Sequence, residues 1–87
     1  MASKHRKTYD AIHADPVRAN IAWNDVLTLL GALGASVTPA GGSMHSIDLN
    51  GQTIILHKPH PGNEISRTVV RRIRGFLGGT GVNPDDL

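Results

Sequence analysis

Apolar and polar residues alternate in two short runs near the middle of the chain, residues 44–49 and 52–57. Such alternation predicts β-strands, because successive side chains of a strand point to opposite faces of a sheet. Asn50-Gly51 lies between the runs and favours a two-residue type I′ turn, in which both central residues need positive φ. The sequence therefore predicts a β-hairpin that pairs Leu49 with Gln52, Ile47 with Ile54, and His45 with Leu56. In this register one face carries His45, Ile47, Leu49, Ile54 and Leu56, and the other carries Met44, Ser46, Asp48, Thr53, Ile55 and His57.

Two segments that flank the hairpin have apolar residues every three or four positions, the spacing of an amphipathic helix. The first helix is predicted over residues 22–33, with Gly34 as its left-handed cap. Its apolar face consists of Trp23, Val26, Leu27, Leu30 and Leu33. The second helix is predicted over about residues 66–77, with Gly78-Gly79 as its stop. Its buried face consists of Val69, Val70, Ile73, Phe76 and Leu77.

The remaining segments complete the order of elements. Residues 35–38 are predicted to form a short strand, which ends at the turn over residues 39–42. Residues 57–64 are predicted to be irregular, because two prolines remove donors and restrict their neighbours. The order is then helix, three strands, helix, which predicts an α+β fold: a three-stranded antiparallel sheet with two helices on one face. This is the layout of a double-stranded-RNA-binding-domain-like fold.

The chain ends look different from this central part. Residues 1–19 are polar and basic, and we expect them to form a loosely attached extension, with residues 20–87 as the folded domain. Thr8 is a candidate cap for a short helix that reaches Ala14. At the other end, Asn83-Pro84 has the pattern of a helix start, with room for one turn at most.

Composition narrows the class of protein. The chain has 87 residues, no cysteine and three aromatic side chains (Tyr9, Trp23 and Phe76), so its single core must consist mainly of Leu, Ile and Val. The lack of cysteine excludes disulfides and thiolate catalysis. No apolar run reaches the roughly 20 residues of a membrane span, and the N-terminus lacks the apolar core of a signal peptide. We expect a cytoplasmic protein that has no membrane partner.

Basic residues are clustered although the formal net charge is only +2. One cluster lies at residues 4–7, and the other consists of Arg67, Arg71, Arg72 and Arg74. Clustered cations suit contacts with phosphate groups, but they are equally typical of a solvated helix face with a basic tail. Charge alone leaves both interpretations open.

The ordered motifs resemble those of the HicA-type toxins of bacterial toxin–antitoxin pairs. After the first helix and Gly34 comes Gly-Ser-x-His at residues 42–45, and the hairpin follows. Lys-Pro-His-Pro at residues 58–61, Glu64-Ile65 and the arginine-rich helix complete the set. The resemblance covers about residues 20–84 and leaves the N-terminal extension unexplained.

The resemblance implies a small ribonuclease that cleaves mRNA without a metal or other cofactor and is silenced by a HicB-type antitoxin. The histidine of the Gly-Ser-x-His element, here His45, would be the catalytic residue. Imidazole suits the removal of a 2′-OH proton near neutral pH. Gly41, Gly42 and Ser43 would present main-chain N–H groups to a phosphate. The candidate RNA-binding residues are Lys58, Arg67, Arg71 and Arg74.

The residues leave alternatives open. His45 shares the predicted core face with Ile47, so a structural histidine is as compatible with the pattern as a catalyst. His60 is a candidate secondary group beside Glu64, and ordering of its loop is the simpler role. His57 and His60 lack the third ligand that a metal site needs, so none is predicted. A module that binds RNA or an antitoxin without catalysis is the alternative function.

Overall fold

The computed structural model describes residues 4–59, 62–83 and 85. The elements in chain order are α1 (Lys4–Ile12), β1 (Ile21–Ala22), α2 (Trp23–Ala32), β2 (Ser36–Pro39), β3 (Met44–Leu49), β4 (Gln52–His57), β5 (Glu64–Ile65) and α3 (Arg67–Thr80).

The central hairpin is confirmed in its register. β3 and β4 are antiparallel, with Leu49 opposite Gln52, Ile47 opposite Ile54, and His45 opposite Leu56. The turn has φ of 50° at Asn50 and 81° at Gly51, as a type I′ turn requires. β2 pairs with the other side of β3, so the three strands form an antiparallel sheet with β3 at its centre.

The core lies between one face of this sheet and the helices. Ile47, Leu49 and Leu56 are buried there in one cluster with apolar residues of α2 and α3. The opposite face is open, and Ile55 on it is 42% exposed. The α+β arrangement, with helices flanking a three-stranded antiparallel sheet, is the predicted one and is consistent with a double-stranded-RNA-binding-domain-like fold.

The buried face of α2 differs in part from the prediction. Trp23, Val26 and Leu30 are buried as expected, but Leu29 is fully buried as well, whereas Leu27 is only partly so. The reason is that α2 packs against α1 in addition to the sheet side, so its apolar face is wider than a single stripe. The helix ends as predicted, with Gly34 at φ 99°.

The prediction that Gly78-Gly79 stops the last helix is wrong. α3 continues to Thr80 and ends at Gly81, which has φ of 70°. Tertiary contacts hold the extra turn, because Thr80 is buried and its carbonyl oxygen accepts a 3.0 Å hydrogen bond from Asn50 Nδ2. The start of the helix is as predicted, and the Ser66 side chain caps it by accepting from the Val69 N–H.

The structure contains a second, two-stranded sheet that the sequence did not predict. β1 and β5 are antiparallel, with Ile21 opposite Ile65 and Ala22 opposite Glu64. The prediction that residues 57–64 are wholly irregular is therefore wrong at both ends, since His57 ends β4 and Glu64 begins β5. The Trp23 N–H also donates to the Asn63 carbonyl, at 2.6 Å. These contacts join the start of α2 to the segment before α3.

The N-terminal segment is not a loosely attached extension. α1 packs against α2 and α3, and Ile12 is fully buried in the main core. Arg74 holds the end of α1 and the residues after it, because its guanidinium donates to the carbonyl oxygens of Ile12 (2.8 Å) and Ala14 (2.5 Å). Thr8, the predicted cap, lies within the helix instead, and its hydroxyl donates to the Lys4 carbonyl.

The C-terminal segment keeps one predicted feature. Asn83 Oδ1 accepts a hydrogen bond of 3.0 Å from the Asp85 N–H, the contact that a capping asparagine makes. Pro84, Asp86 and Leu87 lie outside the described residues. Within the described part of the chain, no helix has the length and apolar character needed to cross a membrane.

Candidate functional site

His45 lies near the beginning of the central strand, between Pro39 of β2 and Leu56 of β4. Its side chain is on the predicted core face but is only half-buried, because it lies at the rim where the sheet meets the start of α2. There the imidazole and the Trp23 indole meet in a T-shaped arrangement, with ring centroids 5.5 Å apart and planes at 65°. Trp23 itself is 1% exposed and anchors α2 in the core.

A carbonyl group orients the imidazole of His45. Its Nδ1 lies 3.2 Å from the main-chain oxygen of Ser43. A carbonyl oxygen can only accept, so Nδ1 carries the hydrogen and Nε2 has the free lone pair when the ring is neutral. Nε2 has no hydrogen-bond partner among the described residues. The contact with Ser43 therefore orients the ring and makes Nε2 its basic nitrogen.

Ser43 connects this histidine to the end of β4. Its carbonyl oxygen also accepts the Lys58 N–H, at 2.8 Å. Its hydroxyl lies 3.4 Å from Nδ1 of His57. Sequence reasoning assigned Ser43 only to a phosphate-binding loop and missed these contacts, because they depend on the packing of one loop against another.

The turn before β3 is tight and leaves donors free. The Met44 N–H donates to the Gly41 carbonyl, and the Ala40 N–H donates to the Met44 carbonyl, both at 2.9 Å. Gly41 and Gly42 have φ of 102° and 55°, values that glycine adopts without strain. The N–H groups of residues 41–43 are exposed and make no hydrogen bond within the described part of the chain. Main-chain N–H groups of this kind can donate to an anion, and the assignment of residues 41–43 to a phosphate stays a prediction.

A pocket of about 380 Å³ opens beside this turn, between the end of β4 and the start of α3. Its lining includes His57 and Lys58 from one side and Glu64, Ser66 and Val69 from the other. Lys58 is exposed and forms no ion pair among the described residues. His57 lies on the outer face of the sheet, opposite to His45.

The predicted basic stripe of α3 divides into residues with different surroundings. Arg71 is exposed, and its side chain forms no hydrogen bond or ion pair with another described residue. Arg67 donates from Nε to the Val17 carbonyl at 3.3 Å, and Arg72 donates to the Ile55 carbonyl at 3.0 Å. Arg74 uses its guanidinium on α1 and lies 3.5 Å from Asp15. The guanidinium of Arg74 is thus engaged with α1 and the residues just after it, and RNA binding by Arg74 stays a prediction.

Two other predictions concern His60 and metals. His60 lies outside the described residues. Among the described residues, no three histidine, aspartate or glutamate side chains come together as a set that could hold a metal ion. The arrangement that the structure does bring together is one oriented imidazole, a loop with free N–H groups, and the cation of Lys58.

Comparison with known proteins identifies the family. The family model described as "HicA toxin of bacterial toxin-antitoxin" matches residues 23–78, well over half of the chain. The match extends from Trp23, at the start of α2, to the last turns of α3, and it includes the turn and both strands around His45. No curated protein and no solved structure matches the chain. On the family match, which agrees with the fold and the order of motifs, the chain belongs to the HicA family, the toxins of bacterial toxin–antitoxin systems.

Proposed function

We propose that this toxin is a metal-independent endoribonuclease that cleaves mRNA, with His45 as its catalytic base, and that a HicB-type antitoxin neutralises it. The observation that carries the proposal is the 3.2 Å contact between His45 Nδ1 and the Ser43 carbonyl, which leaves Nε2 basic and without a described partner. This is the form of histidine that general-base catalysis requires. A function on mRNA places the protein in the cytoplasm.

The proposed reaction is an internal transfer within the RNA backbone. His45 Nε2 takes the 2′-OH proton, and the 2′ oxygen attacks the adjacent phosphorus. The bond from phosphorus to the 5′ oxygen of the next nucleotide breaks, and that oxygen gains a proton from water. The products are a 2′,3′-cyclic phosphate and a 5′-hydroxyl, and His45 then returns its proton to solvent. No oxidant, metal or cofactor enters this balance.

The groups around His45 suit a phosphate that gains charge during this step. The free N–H groups of Gly41, Gly42 and Ser43 would donate to its oxygens, because such donors favour an anion without having to reorganise. Lys58 lies near these groups, because its own N–H donates to the Ser43 carbonyl. Arg67 and Arg71 on α3 would hold the RNA backbone further along, with an affinity that falls as salt rises.

The same cations are the proposed contact for the antitoxin. A HicB-type partner that covers the turn at residues 41–43 and the exposed arginines would prevent RNA from reaching His45. Acidic groups on that partner would complement Lys58 and Arg71 and would speed association. Binding of RNA and of antitoxin should then be mutually exclusive.

One observation favours the alternative, a module that binds RNA or antitoxin without catalysis. His45 is half-buried and packs against Trp23 in a T-shaped arrangement, a contact that stabilises a structural histidine as well as an oriented catalyst. Under this alternative, replacement of His45 changes stability but removes no chemistry.

An induced-expression growth assay separates these two functions. The proposal predicts growth arrest and loss of mRNA with wild type, and neither with His45→Ala. His13→Ala is the matched control, because His13 is an exposed histidine just after α1 whose Nδ1 also contacts a main-chain carbonyl, that of Tyr9 at 2.9 Å. It should arrest growth like wild type. Arrest by His45→Ala, with mRNA loss unchanged, would contradict the catalytic role of His45.

A further inference from the structure

A second cleft lies between α1 and the start of α2. It measures about 320 Å³, and the polar side chains that line it include Lys4, Lys7, Arg18, Asn20 and Asp25. The family match begins at residue 23, so the helix and the linker that supply the three cations fall outside it. Neither the family model nor the proposed site at His45 accounts for this cleft.

The charge of the cleft is positive. Lys4 forms an ion pair with Asp25, with Nζ 3.4 Å from Oδ1. The two charges largely cancel, so this pair attracts an incoming anion only weakly. Lys7 and Arg18 are exposed and form no ion pair within the ranges that the structure describes. Two cations therefore remain available at the rim of one concave surface.

The two segments that carry Lys7 and Arg18 are both held to the rest of the fold. Ile12 of α1 is fully buried, and Arg74 holds the end of this helix through two carbonyl oxygens. On the other side, Arg67 donates to the carbonyl of Val17, next to Arg18 in the chain. A ligand would lose less free energy in ordering such a site than in ordering a mobile basic tail.

The cleft adjoins the site at His45 through β1 and β5. Ala22 lines the cleft and pairs with Glu64, which lines the pocket that contains Lys58. Trp23, the next residue after Ala22, contacts the His45 ring. The cleft and the Lys58 pocket thus lie on either side of one two-stranded sheet.

We propose that the cleft binds a phosphate group of the RNA backbone, through Lys7 and Arg18, at a position outside the scissile linkage. This inference rests on the proposed ribonuclease function and extends the path of the RNA across β1 and β5. A folded protein is the less suitable occupant, because the large apolar side chain in the lining, Ile21, is 6% exposed and offers no anchor.

The test measures binding of single-stranded RNA in the full chain that carries His45→Ala, so that cleavage does not interfere. Lys7→Gln and Arg18→Gln are added together, and binding is followed by fluorescence anisotropy over a range of salt concentrations. The expected result is weaker binding at low salt. The slope of log K against log salt should decrease by about 0.7 for each phosphate that the protein no longer neutralises.

Arg6→Gln is the matched control. Arg6 is on the same helix but does not line the cleft, and it pairs instead with Asp10 and Asp85. An arginine is charged at any working pH, so this control removes one positive charge, against two in the Lys7 and Arg18 variant. The salt slope of the Arg6→Gln variant should match that of the parent. A general effect of net charge would instead lower the slope of this variant as well as that of the Lys7 and Arg18 variant.

The outcomes separate the two proposals. If the parent binds RNA and Lys58→Gln weakens binding, but the Lys7 and Arg18 variant binds like the parent, the cleft is not an RNA site and the ribonuclease function stands. If the parent binds no RNA, both proposals fail. If the variant loses affinity for a HicB-type antitoxin but keeps its affinity for RNA, the cleft is a protein-binding site and this inference is wrong. Circular dichroism of each variant checks that it is folded.

Discussion

Arg74 on α3 donates its Nε hydrogen to the carbonyl oxygen of Ile12, 62 residues earlier in the chain, at 2.8 Å. Carbonyl groups at the end of a helix have no partner within it, and a guanidinium satisfies them while its charge complements the helix dipole. This hydrogen bond ties the N-terminal helix, which lies outside the family match, to the last helix of the toxin domain.

We predict that Arg74→Met lowers the free energy of unfolding by about 1.5 to 3 kcal/mol, because it removes charged hydrogen bonds to partly buried carbonyls. Arg71→Met is the control on the same helix. Arg71 is exposed and its side chain forms no hydrogen bond or ion pair with a described residue, so its replacement should change stability by about 0.5 kcal/mol or less. Urea denaturation followed by circular dichroism measures both, and equal effects would contradict the structural role of Arg74.

The burial of Ile12 gives a second prediction about α1. Ile12→Ala should cost about 2 to 5 kcal/mol, as large-to-small substitutions in a core do. Lys7→Ala, on the exposed side of the same helix, should be nearly neutral. If Ile12→Ala unfolded at the same urea concentration as wild type, α1 would not belong to the core.

Replacing a glycine by alanine should change stability in opposite directions in the hairpin turn and in α3. Gly51 has φ of 81°, so Gly51→Ala should cost about 1 to 2 kcal/mol, the penalty of left-handed backbone for a residue with a Cβ. Gly75 lies inside α3, and a Cβ built there meets nothing within 4 Å. Gly75→Ala should therefore stabilise the protein by about 0.5 to 1 kcal/mol. Thermal unfolding of the two variants checks the signs, and a stabilised Gly51→Ala would contradict the turn geometry.

The division of the arginines predicts different effects on RNA binding. In a chain inactivated by His45→Ala, Arg71→Gln should weaken binding to all single-stranded RNA sequences and reduce the salt slope by about 0.7, as for one phosphate contact. Arg72→Gln removes the same charge at the next position, where the guanidinium donates to the Ile55 carbonyl. Its effect on the slope should be smaller. A larger effect of Arg72 would place the RNA along the edge of β4 instead.

The hairpin could be predicted from the sequence because its determinants are local. Asn50-Gly51 fixes the turn, the turn fixes the register, and alternation decides which face is buried. α2 and α3 could be predicted for the same reason, because the spacing of apolar residues every three or four positions is also a local pattern. The position of His45 on the core face was also predictable from this register.

The features that could not be predicted depend on contacts between distant segments. Ile12 is one isoleucine in a polar stretch, and nothing near it in sequence shows that α2 and α3 bury it. The pairing of Ile21 with Ile65 joins segments too short to carry a strand pattern. α3 continues through Gly78 and Gly79 because Asn50 donates a hydrogen bond to the Thr80 carbonyl. The engagement of Arg74 with α1 follows from the same packing.

The most direct test of the central claim is cleavage of a defined single-stranded RNA by purified protein in the presence of a metal chelator. We predict that wild type produces fragments with 2′,3′-cyclic phosphate and 5′-hydroxyl ends, that His13→Ala does the same, and that His45→Gln, shown to be folded, leaves the RNA intact. Equal cleavage by folded His45→Gln would contradict the role of His45, and cleavage by wild type only after metal is added would contradict the metal-independent mechanism.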